Sequence, residues 1–412
     1  MNRTSILCFA YDPFDAFWKQ IHQTMVRLSL RADFGPVLFV EPERWLSRLA
    51  RHPMRELASR EARAAWWRAL GGRFGRVGET LYVHTPVHRV PFAGRSETLT
   101  ALDRRFLLAD LRRLLRRLEI REPILWVNRP VPDWFLEGVG ERRALVFNWT
   151  DDWAAFASER DREEVERRTG ALLRAADLVV AVSPGLVERA RALNPRVALV
   201  PNATDVEHFA KALDPRTPTA DELSGLPRPV IGFIGFVTPR LDFPVLETLA
   251  RARPEWSFVF VGPVRGTGGE ERRLFSFPNV RSLGPRPHGD LPAYLKGIDV
   301  GLVPYRRNAL SNVADAIKLY DYLAAGLPIV ATPTAGAERF PDLVRIAESA
   351  EEFEEGIRSA LAANGPEAIE RRRDAVRPHS WDARVEEVAA LLRPLGNGET
   401  VPRSAEARAS IP

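Results

Sequence analysis

The sequence predicts an α/β protein of two domains, each built on a parallel sheet, and three features predict it. Residues 300–332, VGLVPYRRNALSNVADAIKLYDYLAAGLPIVAT, read as strand, loop, helix, tight turn and strand. Residues 300–305 and 327–332 are short apolar runs, and residues 314–325 carry apolar side chains at 316, 317, 319, 320, 323 and 324, which is helical spacing. Gly326 sits where a left-handed helix stop belongs and Pro328 follows it. Strand–helix–strand within about thirty residues is a parallel βαβ unit. The alternation recurs along the chain, and 412 residues exceed one ordinary core.

Composition narrows the class. Hydrophobic content of 45% and charged content of 27% are globular values. No apolar run approaches the roughly 18 residues that span a bilayer. The N-terminus, MNRTSILCFAYDP, lacks a signal-length apolar segment, so a cytoplasmic protein is expected. Cys8 is the only cysteine, which excludes an intrachain disulfide and a cysteine-based zinc cluster. The net charge of +5 and the pI near 9.6 suit nucleic acid, anionic lipid or a phosphorylated substrate. The excess is almost all arginine: of 59 basic residues only Lys19, Lys211, Lys296 and Lys318 are lysine. Uniform arginine use reads as coding bias, and no aromatic–basic motif of the RNA-binding type is present, so no nucleic-acid partner is expected. It also sets Lys318 apart, a compact ammonium where this chain normally places a guanidinium. No repeat of solenoid period is visible.

In chain order, residues 5–11 form a first strand, 12–17 a loop, 18–31 a helix and 36–41 a second strand. Residues 44–70 carry Trp45, Trp66 and Trp67 among many arginines. That pattern either lies on a membrane surface or forms helices packed on a sheet with arginine stems covering apolar area. Residues 81–87 read as a strand. Residues 104–120 form an amphipathic helix, apolar at 107, 108, 111, 114, 115 and 118, covering a sheet with its other face solvated. Residues 124–128 and 144–148 are strands followed by polar loops. Ligands bind at the carboxyl ends of parallel strands, which puts Asp151 and Asp152 on the chemical side. Those carboxylates either orient or deprotonate an acceptor hydroxyl, or cap the following helix. Residues 178–183 are a further strand.

Residues 211–229 hold Pro215, Pro218, Pro227 and Pro229 with few apolar side chains and read as a linker. Residues 230–237, VIGFIGFV, open the second domain, and Gly232 and Gly235 permit close backbone approach. This is no GxGxxG, and without a third glycine and a following acid the nicotinamide-oxidoreductase class is excluded. Strands follow at 257–262 and 280–284, with a turn at 285–289, a helix at 291–298, a strand at 343–347 and a helix at 350–361. Residues 380–392 have a helix start signal and apolar spacing. The polar, proline-bearing residues 396–412 are expected to be disordered.

The loop 306–313 leads into a helix start, where free N–H groups and the dipole favour an anion. Lys318 and Asp321 are three apart and share a helix face. A cation and a carboxylate beside an anion-binding helix end make a plausible seat for a sugar diphosphate.

KLYDYLAAGLPIVAT resembles the signature of retaining GT-B glycosyltransferases of family 4, K-x-x-E-Y-x-A-x-G-x-P-V-V. The resemblance extends through most of the chain and is nearest the teichuronic-acid-biosynthesis subgroup. VPNATDVEHF resembles V-x-N-G-V-D-x-x-x-F, which ends the first domain in that family. The resemblance implies a GT-B fold, two Rossmann-like domains facing a cleft. Its expected limits are 1–210 for the acceptor domain, 211–229 for the linker, 230–378 for the donor domain, 379–395 for a helix crossing back, and 396–412 for the tail. It implies that Lys318 binds the donor diphosphate and that Asp321 meets donor hydroxyls; these two, with Asp151 and Asp152 from their strand-end position, are the catalytic candidates. Further donor-binding candidates are Gly235, Arg240 of TPRLD, Pro287 and His288 near the nucleotide base, and the backbone at Ser311, Asn312 and Val313. Arg240 is otherwise a solvent arginine. The loop after the first strand adds Asp12, Asp15, Lys19 and His22 as acceptor-side candidates, although Lys19 and His22 also fit a solvated helix face.

Two positions depart from the family pattern: Asp321 stands for the usual Glu, and Val313 for a second Glu eight positions earlier. No DxD-type metal spacing lies at the donor end, so no metal and no cofactor beyond the nucleotide-sugar co-substrate are expected. No carboxylate sits at a clear nucleophile position, so front-face attack assisted by the diphosphate is the implied mechanism. A glycan or lipid-linked acceptor is expected, with peripheral contact at the inner membrane face. The other reading is a non-catalytic GT-B protein that binds a nucleotide sugar or a partner enzyme.

Overall fold

The computed structural model describes residues 3–14, 19–58, 60–70 and 75–399. Of the expectations above, Asp15 and residues 400–412 of the tail lie outside the described residues. The chain divides into two compact units. One comprises Met1–Val182, Leu186–Val200 and Val385–Pro412, and the other Ser183–Gly185 and Pro201–Arg384.

The first unit holds a sheet of strand order Val197–Leu199, Leu178–Ala181, Ala144–Trp149, Ile124–Val127, Thr4–Phe9, Phe34–Val40, Leu81–His84 and Gly75–Arg76. Every pairing is parallel except the last. The strands are near-continuous apolar runs, as expected when helices cover both faces. Ile6, Cys8, Phe39, Trp126 and Val146 form a core with Ile21, Met25 and Leu28 of the helix Gln20–Ser29. Val385, Val388, Ala389, Leu392 and Leu395 of the helix Trp381–Gly396 belong to the same core. The chain reverses its direction of travel across the sheet at Thr4–Phe9, which lies between Phe34–Val40 and Ile124–Val127.

The second unit is an all-parallel sheet of order Val280–Gly284, Ser257–Val261, Val230–Ile234, Val300–Val303, Ile329–Ala331 and Val344–Ile346. Its direction reverses between Val230–Ile234 and Val300–Val303. A ligand crevice belongs outside the carboxyl ends of such a strand pair.

The structure corrects two local expectations. The helix expected over 314–325 starts only at Ile317 and runs to Ala324, and a separate short helix, Ala309–Asn312, stands in the expected loop. The break falls at Asp315, whose carboxylate accepts from the Asn202 amide at 2.7 Å and from the Tyr320 hydroxyl at 2.8 Å, anchoring the chain there. Gly326 does end the helix in the left-handed region, at φ +72°. Residues 211–229 are part of the second unit and not a free connection. Leu223 is 2% exposed, and the Lys296 ammonium donates to the Asp214 and Thr217 carbonyls at 2.7 Å each. The prolines hid this, because one buried leucine and one lysine hold the segment down.

Candidate functional site

At the reversal point of the second sheet the chain leaves Ile234 through Gly235. The Ile234 amide donates to the Tyr322 hydroxyl at 2.8 Å. Gly235 and Gly262 have φ of +146° and +147°, and a Cβ on Gly262 would lie 2.0 Å from the Gly235 carbonyl oxygen. Only glycine fits there. A Cβ on Gly235 would come within 3.0 Å of Lys318 Cε, so the lysine stem runs along this bare backbone.

Lys318 Nζ donates to the Tyr305 hydroxyl at 2.6 Å and stands 5.1 Å from the ring centroids of both Tyr305 and Phe233. The Arg240 guanidinium lies 4.9 Å from the Tyr305 ring, and the Arg240 carbonyl accepts from the Arg306 amide at 2.7 Å. One aromatic ring thus gathers two cations at the carboxyl ends of adjacent parallel strands. Arg240 is not a lone solvent arginine. Lys318 lies in the first turn of Ile317–Ala324, whose cap residue, Ala316, supplies no side-chain hydrogen bond. The positive end of that helix adds to the same field.

Asp321 lies one turn further along and is half-buried. It accepts from the Thr204 hydroxyl at 2.6 Å. Burial pushes its carboxyl up to about 7. The Thr204 hydrogen bond and the Lys318 charge pull the other way, and Asp205 adds to the rise. Lys318 and Asp321 share electrostatic reach but turn to different partners. Thr204 is itself pinned, its amide donating to the His379 carbonyl and its carbonyl accepting from the Trp381 amide.

The expected anion-binding amides at Ser311, Asn312 and Val313 are a correction. Asn308 caps this short helix through a reciprocal box: the Ser311 amide donates to Asn308 Oδ1 at 2.9 Å and the Asn308 amide to Ser311 Oγ at 3.0 Å. The Asn312 amide donates to the Asn308 carbonyl, and the Ala314 amide to the Ser311 carbonyl. Those donors are engaged, and the uncapped helix end lies instead at 316–318. Val313 packs toward Gly185, where a Cβ would meet its Cγ1 at 2.9 Å. Pro287 caps the turn His288–Asp290. The His288 ring stacks on His208 at 4.3 Å, and burial lowers its proton affinity. Thr204, His208, Tyr305 and Tyr322 were missed in the sequence. Tyr305, at the end of an apolar run facing Lys318 across the βαβ unit, is the one its position signals.

In the first unit, a second cluster forms where Thr4–Phe9 and Ala144–Trp149 end. Lys19 Nζ pairs with Asp12 at 2.5 Å and lies 5.1 Å from the Tyr11 ring, which meets Trp153 at 5.1 Å. Burial raises the Tyr11 hydroxyl, and the nearby charges of Asp12 and Asp151 raise it further. Asp152 sits at the cap position of Trp153–Phe156 but makes no cap bond; its Oδ2 pairs with Arg189 at 2.9 Å. Trp149 Nε1, Thr150 Oγ1 and Trp153 Nε1 are buried without a hydrogen-bond partner. His22 is 0% exposed, which overturns both the solvated-face and the ligand-facing readings. Its Nδ1 accepts from the Lys19 amide at 3.2 Å and its Nε2 faces the Pro13 carbonyl at 3.0 Å, so it shapes the loop.

Comparison with known proteins follows this geometry. The family described as "Glycosyl transferase-like" matches residues 244–390. The fold is similar to sucrose-phosphate synthase from Thermosynechococcus elongatus, with a TM-score of 0.71 and 16% identity over 96% of this chain and 100% of that one. It is also similar to HepE from Anabaena in complex with UDP and glucose, with a TM-score of 0.63 and 13% identity over 95% and 99% of the two chains. The fold is of the GT-B type. In sequence it is 28% identical over 255 residues to the putative teichuronic acid biosynthesis glycosyltransferase TuaH of Bacillus subtilis (strain 168). That match covers 58% of this chain and 64% of TuaH, just under two thirds of the relative's length. Among the described residues no helix is long and apolar enough to cross a membrane.

Proposed function

We propose that this GT-B protein is a retaining glycosyltransferase. It moves a sugar from a nucleotide diphosphate sugar to a glycan or lipid-linked acceptor in cell-surface polysaccharide or glycolipid synthesis on the cytoplasmic side. The observation that carries the reading is the pair of cations, Lys318 and Arg240, gathered on Tyr305 at the reversal point of the second sheet. As the donor's anomeric C–O bond breaks, negative charge develops on the leaving diphosphate. Fixed cations and a helix N-terminus stabilise it without having to reorganise. Gly235 leaves room for the phosphates, and the turn at Pro287 and His288 flanks the base. Asp321 accepts from sugar hydroxyls.

In the first unit, Asp151, Asp152, Asp12 and Lys19 with the Tyr11–Trp153 pair are the candidates for contacting acceptor hydroxyls. The acceptor oxygen bonds to the anomeric carbon on the face the diphosphate leaves, and its proton passes to the departing phosphate oxygen. The charge is neutralised by side chains, so the reading invokes no metal. The UDP bound to HepE supports a uridine nucleotide as the first donor to try.

Thermal-shift screening of UDP-, GDP- and ADP-sugars tests the reading. A ligand at 100 times its dissociation constant stabilises the fold by about 2.7 kcal/mol. A shift with none of them would reject a nucleotide-sugar site. The apolar Val313, standing where the family pattern has Glu, favours a second reading, a non-catalytic binder. Release of free sugar from the bound donor would exclude it.

A further inference from the structure

The described side chains of residues 46–58 and 62–70 include a face that the transfer reading leaves unused. In the helix Arg60–Leu70, Ala65, Trp66 and Ala69 are buried, while Arg63, Trp67 and Leu70 are exposed. The exposed three are spaced i, i+4, i+7 and so make one stripe. Trp67 is 69% exposed and Leu70 59%. Arg63 Nη1 donates to the Leu57 carbonyl at 2.9 Å, which joins the stripe to the turn Pro53–Glu56, where Met54 is 89% exposed. Arg48, Arg51 and Arg55 are exposed on the same short stretch.

Among the described side chains, the acids near this face are engaged with partners of their own. Glu41 is buried against Arg68, Glu43 holds Arg129, and Glu56 accepts from the Trp66 indole and faces Arg44. From below, the segment is held firmly. Leu46 and Leu49 pack on Trp66, Ala69 and Val87, and Trp45 stacks on His88 at 3.8 Å. An indole, a thioether and a leucine projecting from a firmly held, arginine-fringed surface match the interface of an anionic bilayer. There aromatic rings sit at headgroup depth and guanidinium groups meet phosphate.

We propose that this face, centred on Met54 and Trp67 with Arg48, Arg51, Arg55 and Arg63 around them, docks the protein on an anionic membrane surface. A second copy meeting the same face would set arginine against arginine across a two-fold axis, so charge selects lipid over self-association. The inference goes beyond the transfer reading and is measured without any transfer.

The test is flotation of the full chain with vesicles of 70% phosphatidylcholine and 30% phosphatidylglycerol, against pure phosphatidylcholine, at low and high salt. Three proteins are compared: wild type, Arg48→Ser/Arg51→Ser/Arg55→Ser, and Met54→Ser/Trp67→Ser. All the substituted residues are solvent-facing, and circular dichroism checks each fold. The expected result is salt-sensitive binding to the anionic vesicles alone. The arginine variant should fall about 100-fold in partition coefficient, at about fivefold per arginine, and the apolar variant should also be weakened. Three results would overturn the proposal: no flotation of wild type at low salt, equal flotation of the variants, or a wild-type dimer that Met54→Ser/Trp67→Ser dissolves in the absence of lipid.

Discussion

The Lys318 ammonium donates to the Tyr305 hydroxyl at 2.6 Å while the Arg240 guanidinium covers the same ring at 4.9 Å, so one tyrosine fixes both cations. Lys318→Ala should therefore leave the fold intact and remove most transfer. The loss of a charge-assisted contact to the leaving diphosphate should cost about 2–4 kcal/mol in the transition state, or about 30- to 1000-fold in kcat/KM. Steady-state kinetics beside a thermal melt read both effects. Near-normal turnover would remove Lys318 from the site.

Tyr305→Phe keeps the ring under Arg240 and deletes only the acceptor of the lysine hydrogen bond. One such bond is worth about 1 kcal/mol, so a loss of about fivefold in kcat/KM is expected. A loss as large as that of Lys318→Ala would mean that the hydroxyl itself touches substrate.

Gly262→Ala tests the glycine contact behind the site. With φ at +147° and the Gly235 carbonyl 2.0 Å from the new Cβ, the backbone has to move. Strain of this kind costs about 1–3 kcal/mol, which chemical denaturation should show together with weakened nucleotide binding. Wild-type stability in the variant would mean that the two loops are not in contact.

Asp321 gives a pH signature. Its folded carboxyl lies near 7, above an ordinary value of 3.8. The folded state therefore holds the proton more tightly. The stability this contributes is fully present below pH 3.8 and is lost as pH rises through about 7. Asp321→Asn should flatten stability across that window. Ionisation makes the group a better acceptor for sugar hydroxyls, so affinity for the intact nucleotide sugar should rise from pH 6 to pH 8 in wild type and stay level in the Asn variant. Parallel titrations of wild type and variant that keep the same slope would show that Asp321 does not read the sugar.

The Asp152–Arg189 pair at 2.9 Å decides how the first-unit carboxylates are used. If Arg189 positions Asp152, then Asp152→Ala and Arg189→Ala should lower kcat by similar factors, and the double variant by little more. Additive losses would separate their roles.

Much of this was legible in the sequence, and the failures have physical causes. Periodicity located the βαβ unit at 300–332, and Gly326 marked its helix end, because both follow from local backbone rules. The helix break at Asp315 was not legible, since its partner Asn202 is more than a hundred positions away in sequence. The same holds for Thr204, which holds Asp321 from 117 positions away: spacing put lysine and aspartate on one helix face but gave no hint of that partner, whereas Tyr305, 13 positions from Lys318, is signalled by its place at the end of an apolar run. His22 looked available from its polar neighbours, and burial between Phe14 and Phe39 made it a loop support. In residues 44–70 Trp66 packs inward, as the sheet-packing reading expects, while Trp67 faces out, a difference between neighbouring tryptophans that composition alone does not separate.

The most direct measurement is calorimetric titration of UDP, GDP and ADP into wild type and Lys318→Ala at pH 7.5. A binding site built on Lys318 and Arg240 predicts that wild type binds at least one of the three, and that the variant, with an unchanged melting temperature, binds it at least about 30-fold more weakly. Equal affinity in the two proteins, or no binding of any of the three by wild type, would contradict it.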